Sequence, residues 1–350
     1  MGSGDAMTID DFLQREIAVG SFPSAVYAFG SASGIAQSGA LGHAVAVPLR
    51  LRANVDTIYD VASTTKPLVT TTLILQAVAE GRIALDDRLH GFTYRELLTH
   101  TSGLQAWLPL YTYDDYLSAI LTHGRTHKAG TKVVYSDLNF ILLWYALRDL
   151  YGDYVATARE RIFTKLGIDD EAMFNPPAIL RPRIAATEWG QRWEVKMCAD
   201  RHLPVDGLRD TLIWGETHDG NSFHAGGTAG NAGLFATAAA MFRIMQAIVR
   251  GELYSRELLA ESTRNYTAGL EENRGLGWQL QSPTSPATKM LSPRAFGHSG
   301  FTGTSIWCDP EQDDRIFVLL TNRVHPCAAP VAMQAIRGEY HRRASHRRSS

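Results

Sequence analysis

The stretch Val61-Ala62-Ser63-Thr64-Thr65-Lys66-Pro67 heads an apolar run that continues through Leu68, Val69, Thr72, Leu73, Leu75, Gln76 and Ala79 to Gly81. Its spacing predicts a helix that is apolar on most faces, and therefore buried, with Gly81 as the C-terminal stop. On such a helix positions i and i+3 lie on one face a turn apart, so the Lys66 ammonium can reach the Ser63 hydroxyl. A lysine stripped of water can lose its proton near neutral pH and act as a base, while a helix N-terminus favours negative charge developing on the serine. Ser-x-x-Lys also arises by chance, as an N-terminal serine followed by a solvated lysine, and its meaning depends on the rest of the chain.

Outward from that helix, Thr8 to Ala18 carries helical spacing with Asp10 and Asp11 near its start, and Ser24 to Gly42 reads as two short strands joined in a hairpin. Downstream, Tyr94–Leu98, Tyr113–Thr122, Leu138–Tyr151 and Tyr154–Leu166 keep a 3.6-residue period. From 180 to 235 the chain is irregular and glycine-rich. Helices are expected again over Ala236–Arg250 and Ser255–Tyr266, then strands over Gly275–Gln281, Phe301–Cys308 and Arg315–Asn322, then a closing helix over Pro330–Arg342. Strands at both ends enclosing helices predict an α+β fold, an α/β sandwich with an antiparallel sheet flanked by terminal helices and an inserted all-helical domain. The expected division is a discontinuous sheet domain (8–65 and 235–342), a helical domain (66–180), an irregular segment bordering the active site (181–234) and a basic tail (343–350). Ser63 falls where sheet and helical parts meet, the kind of junction where ligand sites form.

The 350 residues suffice for one large or two joined domains, and a composition 45% hydrophobic and 20% charged belongs to a globular protein. A formal net charge of -2 gives no electrostatic reason to expect nucleic acid. Positive charge gathers only in His341-Arg342-Arg343 and Arg347-Arg348, expected to be a frayed, solvated end. Cys198, Cys308 and Cys327 are odd in number and widely spaced, which indicates neither a disulfide framework nor a metal site. No run is long enough for an integral membrane segment. Met1 to Ala6 reads as a cloning remnant ahead of Met7. The cytoplasm is thus the compartment by default, with a periplasmic or secreted protein the alternative if a signal peptide has been removed.

Two further stretches complete a candidate acyl-transfer site. Gly130 to Asp137 turns into the helix that follows, placing Tyr135 just before its start, where a tyrosine hydroxyl near cations can relay a proton; the plainer reading is a packing tyrosine with Asp137 as N-cap. Phe296-Gly297-His298-Ser299-Gly300-Phe301 runs into an apolar strand, and its glycines permit close backbone approach to a ligand whose carbonyl an edge N–H can meet. His298 is read as a hydrogen-bond donor to substrate. His218 and His224 with Asp219 lack metal-ligand spacing, no Gly-x-Ser-x-Gly occurs, and Trp107 with Tyr111 is the expected apolar rim.

In their order, Ser63-Thr64-Thr65-Lys66, Tyr135-Ser136-Asp137 and His298-Ser299-Gly300 resemble the Ser-x-x-Lys, Tyr-x-Asn and Lys/His-Thr/Ser-Gly series of the beta-lactamase and penicillin-binding-protein superfamily, in particular its class C-like serine hydrolases, family VIII esterases and D-Ala-D-Ala carboxypeptidases. Leu97 to Leu104 and Gly226 to Phe235 are similar to recurrent stretches of that family, and the likeness spans about residues 20 to 340. The resemblance implies Ser63 as acylated nucleophile, Lys66 and Tyr135 sharing acid and base duty, the N–H groups of Ser63 and Phe301 as oxyanion hole, and His298, Ser299, Gly300 and Asp137 around the substrate. It implies no cofactor and no metal, and as partner a small-molecule or peptide acyl substrate. Asp137 stands where asparagine is usual and adds a charge that keeps Lys66 protonated, which moves base duty toward Tyr135. His298 replaces a permanently charged lysine. Short-chain ester hydrolysis is therefore the first expectation, D-Ala-D-Ala carboxypeptidase-like activity the second and beta-lactamase activity the third. The alternative is a sensor that acylates with a penicillin or peptidoglycan fragment without turnover.

Overall fold

The computed structural model describes residues 7–203, 205, 207–327 and 329–345. It starts with α1 (Ile9–Ala18), fixed by a capping box in which Thr8 and Asp11 each bond the other's backbone N–H. The expected hairpin follows as β1 (Ser24–Ser31) and β2 (Gly34–Val45), extended by β3 (Leu51–Arg52). A short β4 (Tyr59–Asp60) leads through a tight turn and one π-helical turn into α2 (Thr72–Ala79). The helical middle then comprises a small hairpin, β5 (Arg88–Leu89) and β6 (Phe92–Thr93), with α3 (Tyr94–Leu98), α4 (Tyr116–His123), α5 (Asp137–Tyr151) and α6 (Tyr154–Ala158). After β7 (Ala172–Met173) come α7 (Arg192–Ala199), α8 (Gly220–His224), β8 (Phe235–Ala236), α9 (Ala238–Arg250) and α10 (Arg256–Ser262). The chain closes with β9 (Gln279–Leu280), β10 (Phe296–Ser299), β11 (Ser305–Asp309), β12 (Arg315–Thr321) and α11 (Met333–Ser345).

One antiparallel sheet of seven strands, ordered β3-β2-β1-β12-β11-β10-β9, joins the two ends of the chain. Its central strands alternate with period two between two cores. Val26, Ala28, Ile316, Val318 and Leu320 face a core shared with α2, α5 and α9, whereas Tyr27, Phe29, Phe317 and Leu319 face a second core under α1 and α11. Burial on both faces explains why β1 and β12 read as nearly continuous apolar runs. Tyr340 of α11 locks the outer layer: fully buried, its hydroxyl donates to Ala28 O at 3.1 Å and Val318 O at 2.9 Å across neighbouring strands. The fold class read from the sequence is the one observed.

Several local expectations differ. The strand expected over 275–281 shrinks to Gln279–Leu280, and the one expected from Phe301 starts at Ser305, because residues 300–303 form a turn. The segment 181–234 contains α7 and α8. The basic end is helical to Ser345, with His341 buried and both Arg342 and Arg343 paired to Glu339; residues 346–350, like the expected remnant Met1–Ala6, lie outside the described residues. Cys198 and Cys308 are buried, and Cys327 is exposed. Among the described residues no helix is long and apolar enough to cross a membrane.

Candidate active site

Ser63 sits on a turn with an unusual backbone. Ala62, just before it, has φ +48°, a left-handed conformation that costs a non-glycine residue energy unless its surroundings impose it. The surroundings do so here: the Ala62 N–H donates to Asp60 Oδ1 at 2.8 Å, and the hydroxyls of Thr64 and Thr65 close the turn on Val61 O at 2.9 Å and Ala62 O at 2.6 Å. Pro67 enters the π turn that follows at a position where its missing N–H is not required.

Lys66 is completely buried, and its Nζ meets three acceptors, Ser63 Oγ at 2.9 Å, Asn231 O at 2.9 Å and Asp137 Oδ1 at 2.6 Å. Two hydrogen bonds and a 2.6 Å contact with a carboxylate, an ion pair rather than a third aligned hydrogen bond, suit the charged form. Burial works to lower the Lys66 pKa, but Asp137 and Tyr135 more than offset it and hold the group above the ordinary lysine value. Burial pushes the Asp137 carboxyl upward and Lys66 pulls it down. These directions pull apart for one contact; the charged pair follows from the short distance and from an Asp137 side chain still 19% exposed. Asp137 is therefore the partner of Lys66, not the N-cap of α5, a place Ser136 holds without a side-chain cap.

The Leu97–Leu104 block buttresses the segment that carries Tyr135. His100 Nδ1 accepts from the Ser136 N–H at 3.0 Å, and its ring lies 4.7 Å from that of Tyr135. Tyr135 also has Lys66 and, beyond the sequence reading, Arg274 over its ring, each 5.1 Å from the centroid. Its hydroxyl is buried without a well-formed hydrogen bond. The Gly226–Phe235 block likewise contributes directly, through the Asn231 carbonyl.

On the opposite side, β9 covers β10 only at Phe296 and Gly297, so His298 and Ser299 form an open edge. A Cβ at Gly300 would lie 2.4 Å from Val61 O, which is why this turn can approach the Ser63 segment so closely. His298 is buried; burial, Arg274 and Lys66 hold its pKa well below the usual histidine value, so its ring is neutral. Its Nδ1 lies 2.9 Å from Ser299 O, which accepts only, and the proton therefore sits on Nδ1. Nε2 is left an unpartnered acceptor, whereas the sequence reading made His298 a donor to substrate.

Ser63, Tyr135, His298, Ser299, Gly300 and Phe301 line one cleft of about 590 Å³, joined there by Arg274, Arg323 and Arg337, which sequence reasoning missed. Among the described residues neither Arg323 nor Arg337 has a carboxylate within salt-bridge distance, and Arg337 Nε is buried without a partner. Burial and Arg323 push Arg337 down to about 10, which leaves it cationic at neutral pH. Trp107 is buried beneath Arg201 and is not a rim residue; the aromatic beside Phe301 is Trp193, at 5.3 Å between ring centres. His218 is buried against Glu188, and among the described residues no group of three acids, histidines or cysteines is arranged for a metal.

Comparison with known proteins agrees in outline. A family model described as "Beta-lactamase" matches residues 10–338. A protein of Escherichia coli (strain K12) named "Putative D-alanyl-D-alanine carboxypeptidase" is 29% identical over 322 residues, covering 80% of this chain and 72% of that protein. Among solved structures, EstCE1, "a hydrolase with promiscuous acyltransferase activity", superposes with a TM-score of 0.72 at 16% identity and covers 96% of each chain. The octameric penicillin-binding protein homologue from Pyrococcus abyssi gives a TM-score of 0.70 at 19% identity, over 93% of this chain and 75% of its own. At these identities the two structures share the fold.

Proposed function

The chain belongs to the beta-lactamase family, and within it we propose a serine hydrolase that acylates Ser63 and prefers substrates carrying a carboxylate beside the reacting carbonyl. The observation that carries this reading is the cleft itself, with a serine hydrogen-bonded to a buried ammonium at one wall and, at the other, Arg323 and Arg337 without carboxylate partners among the described residues, Arg274 being already paired to Glu272. A buried, unpaired cation is costly, and a ligand carboxylate supplies the missing partner. His298 brings no charge, so the arginines replace what a lysine would give at that position. The name of the Escherichia coli relative points to the same substrate class, since a peptide ending in D-alanyl-D-alanine presents a carboxylate next to the scissile amide.

In the proposed reaction Tyr135 reacts as the phenolate: Ser63 Oγ attacks the carbonyl carbon while its proton passes to that phenolate oxygen. Lys66 stays an ammonium: its bond to Ser63 Oγ and its charge near Tyr135 stabilise the negative charge that moves between them. The N–H groups of Ser63 and Phe301 receive the oxyanion. Collapse of the tetrahedral intermediate breaks the bond to the leaving group, which takes the proton back from Tyr135. Water then enters along the reverse path and frees the acid.

Replacing Ser63 by alanine removes the nucleophile, and turnover of p-nitrophenyl esters and of D-Ala-D-Ala peptides is expected to fall by about two orders of magnitude or more. Retention of activity within a few-fold would overturn the proposal. Mass spectrometry separates hydrolase from sensor, because an adduct that persists without released product is the sensor's signature.

A further inference from the structure

Asp60 is a carboxylate only 2% exposed, and among the described residues no lysine or arginine pairs with it directly. Its oxygens are used on two backbone amides: Oδ1 accepts the Ala62 N–H at 2.8 Å and Oδ2 the His218 N–H at 2.7 Å. Its own carbonyl accepts the Thr302 hydroxyl at 2.8 Å. Burial of a charge with so little compensation is expensive, which is unexpected in a purely structural position. The three attachments have a common destination. Ala62 immediately precedes Ser63, and Thr302 immediately follows Phe301, so the two are neighbours of the two proposed oxyanion donors. The His218 ring stacks on Phe301 with centres 5.4 Å apart and planes 26° apart. His218 Nε2 in turn bonds Glu188 Oε2 at 3.0 Å, and the other oxygen of Glu188 accepts the Trp193 N–H at 3.1 Å, holding a second ring against Phe301. Arg323 completes the enclosure, its Nε donating to Phe301 O at 2.7 Å.

We propose that Asp60 is a positioning residue that fixes the spacing between the Ser63 and Phe301 N–H groups, tying the strained serine turn and the His218 loop to its carboxylate and the β10–β11 turn to its backbone carbonyl. The proposal rests on the acyl-serine reading above. Both bonds of the carboxylate run to N–H donors, and asparagine of nearly the same volume can accept only one of them, since its amide NH₂ would face the other. Asp60→Asn therefore leaves packing in place while releasing one of the two segments. A shift of about an ångström in a reacting group is enough to cost on the order of 100-fold.

The test uses a fluorophosphonate, read for both rate and final extent of labelling, with steady-state turnover of an uncharged p-nitrophenyl ester. In Asp60→Asn the final labelled fraction should match wild type, the labelling rate constant and kcat should each fall about 10- to 100-fold, and KM should stay within about threefold. Thr302→Val, which removes only the hydroxyl bond to the Asp60 backbone carbonyl and leaves both carboxylate bonds in place, should lower both rates in the same direction by a smaller factor, and if Asp60→Asn does not fold it tests the junction at Asp60 through that third attachment. A labelled fraction that falls while its rate constant is unchanged would mean that Asp60 serves folding alone, and unchanged rates in both variants would overturn the idea as well. Ser63→Ala run in parallel distinguishes the two levels. If it abolishes labelling and turnover while the Asp60 and Thr302 variants keep wild-type rates, only the positioning role fails; if it stays active, the acyl-serine reading and the Asp60 proposal fall together.

Discussion

On the helical wall of the cleft Lys66 finds its partners inside the protein, while on the strand wall His298 Nε2 and Arg337 Nε are buried with none. The first wall has its protonation state set before any substrate arrives, because Asp137 stands against the charge of Lys66. The second leaves polar groups in want of partners, and a buried unpartnered group costs about 1–3 kcal/mol until something satisfies it. Under the proposed function the proton relay and the carboxylate preference thus fall on different parts of the chain. The helical wall comes from one short stretch and the start of α5, whereas the strand wall is assembled from β10, Arg323 two residues after β12 and the first turns of α11.

The sharpest break of that comparison is at Tyr135. If the helical wall holds the proton relay and Lys66 only supplies charge, Tyr135→Phe should lower kcat by about 10²- to 10⁴-fold for every substrate, charged or neutral, with little change in KM. Pre-steady-state kinetics on a p-nitrophenyl ester and on an acid-terminated peptide measure this. A loss confined to one substrate would move Tyr135 from the relay to recognition and erase the distinction between the walls.

The two walls also differed in how far the sequence disclosed them. Ser63, Lys66, Tyr135 and Asp137 are legible because their relations are local: an i,i+3 step on one face and a turn that opens a helix. His298 to Phe301 were marked by glycines, and Gly300 is small for a reason the sequence hinted at, the approach of Val61 O. Arg274, Arg323 and Arg337 gave no such signal. Each becomes part of the cleft only through strand register or through the docking of α11 on the sheet, and an arginine alone in a sequence says nothing about what faces it. Asp60 was passed over for the same reason, since two of its three attachments are about 160 and 240 residues away. Trp107 shows the converse error: an aromatic near a motif was read as rim, but Arg201 covers it. The overall fold was legible because the long helices carry period 3.6 and the main strands are apolar runs bounded by turns, and strand ends were misplaced where glycine turns interrupt them.

A smaller effect sharpens the strand wall. Arg337→Met removes a cation from the cleft while keeping much of its buried stem. For a peptide ending in D-Ala-D-Ala, kcat/KM should fall about 10- to 100-fold, the worth of one charge-assisted hydrogen bond. For an uncharged ester, or for the same peptide with its terminus amidated, the change should be several-fold at most. Because Arg337 also donates to Thr304 O at 3.1 Å, the ratio between the two substrates is the measurement that matters. Equal losses would assign Arg337 to holding the β10–β11 turn and take the carboxylate preference away from it.

The mildest effect comes from behind the strand wall, on the helix that presses Trp193 against Phe301. Glu194, next in sequence to Trp193, is buried; burial first and Asp219 second push its carboxyl up to about 7, against the pull of the Gly220 N–H and His218. The folded state therefore holds this proton more tightly than the unfolded chain, whose carboxyl titrates near the ordinary glutamate value of 4.5. Between those values Glu194 holds more proton in the folded state, so its own contribution to stability falls as pH rises from about 4.5 through about 7, by an amount on the order of 3 kcal/mol at most, while buried His298 and His341, whose pKa values are lowered, contribute in the opposite direction. Urea unfolding across that range should show it as a fall, with rising pH, in the stability of wild type relative to Glu194→Gln, a side chain that does not titrate. The slope is the measurement, since glutamine must also meet the Gly220 N–H at Oε1 and the Gln191 amide at Oε2, and absolute stability will move for that reason alone. Turnover corrected for the folded fraction should change little in this variant, because Glu194 reaches Phe301 only through the packing of Trp193. A kcat that follows Glu194 ionisation instead would couple the strand wall to a titrating group and make recognition, like the relay opposite it, dependent on a proton.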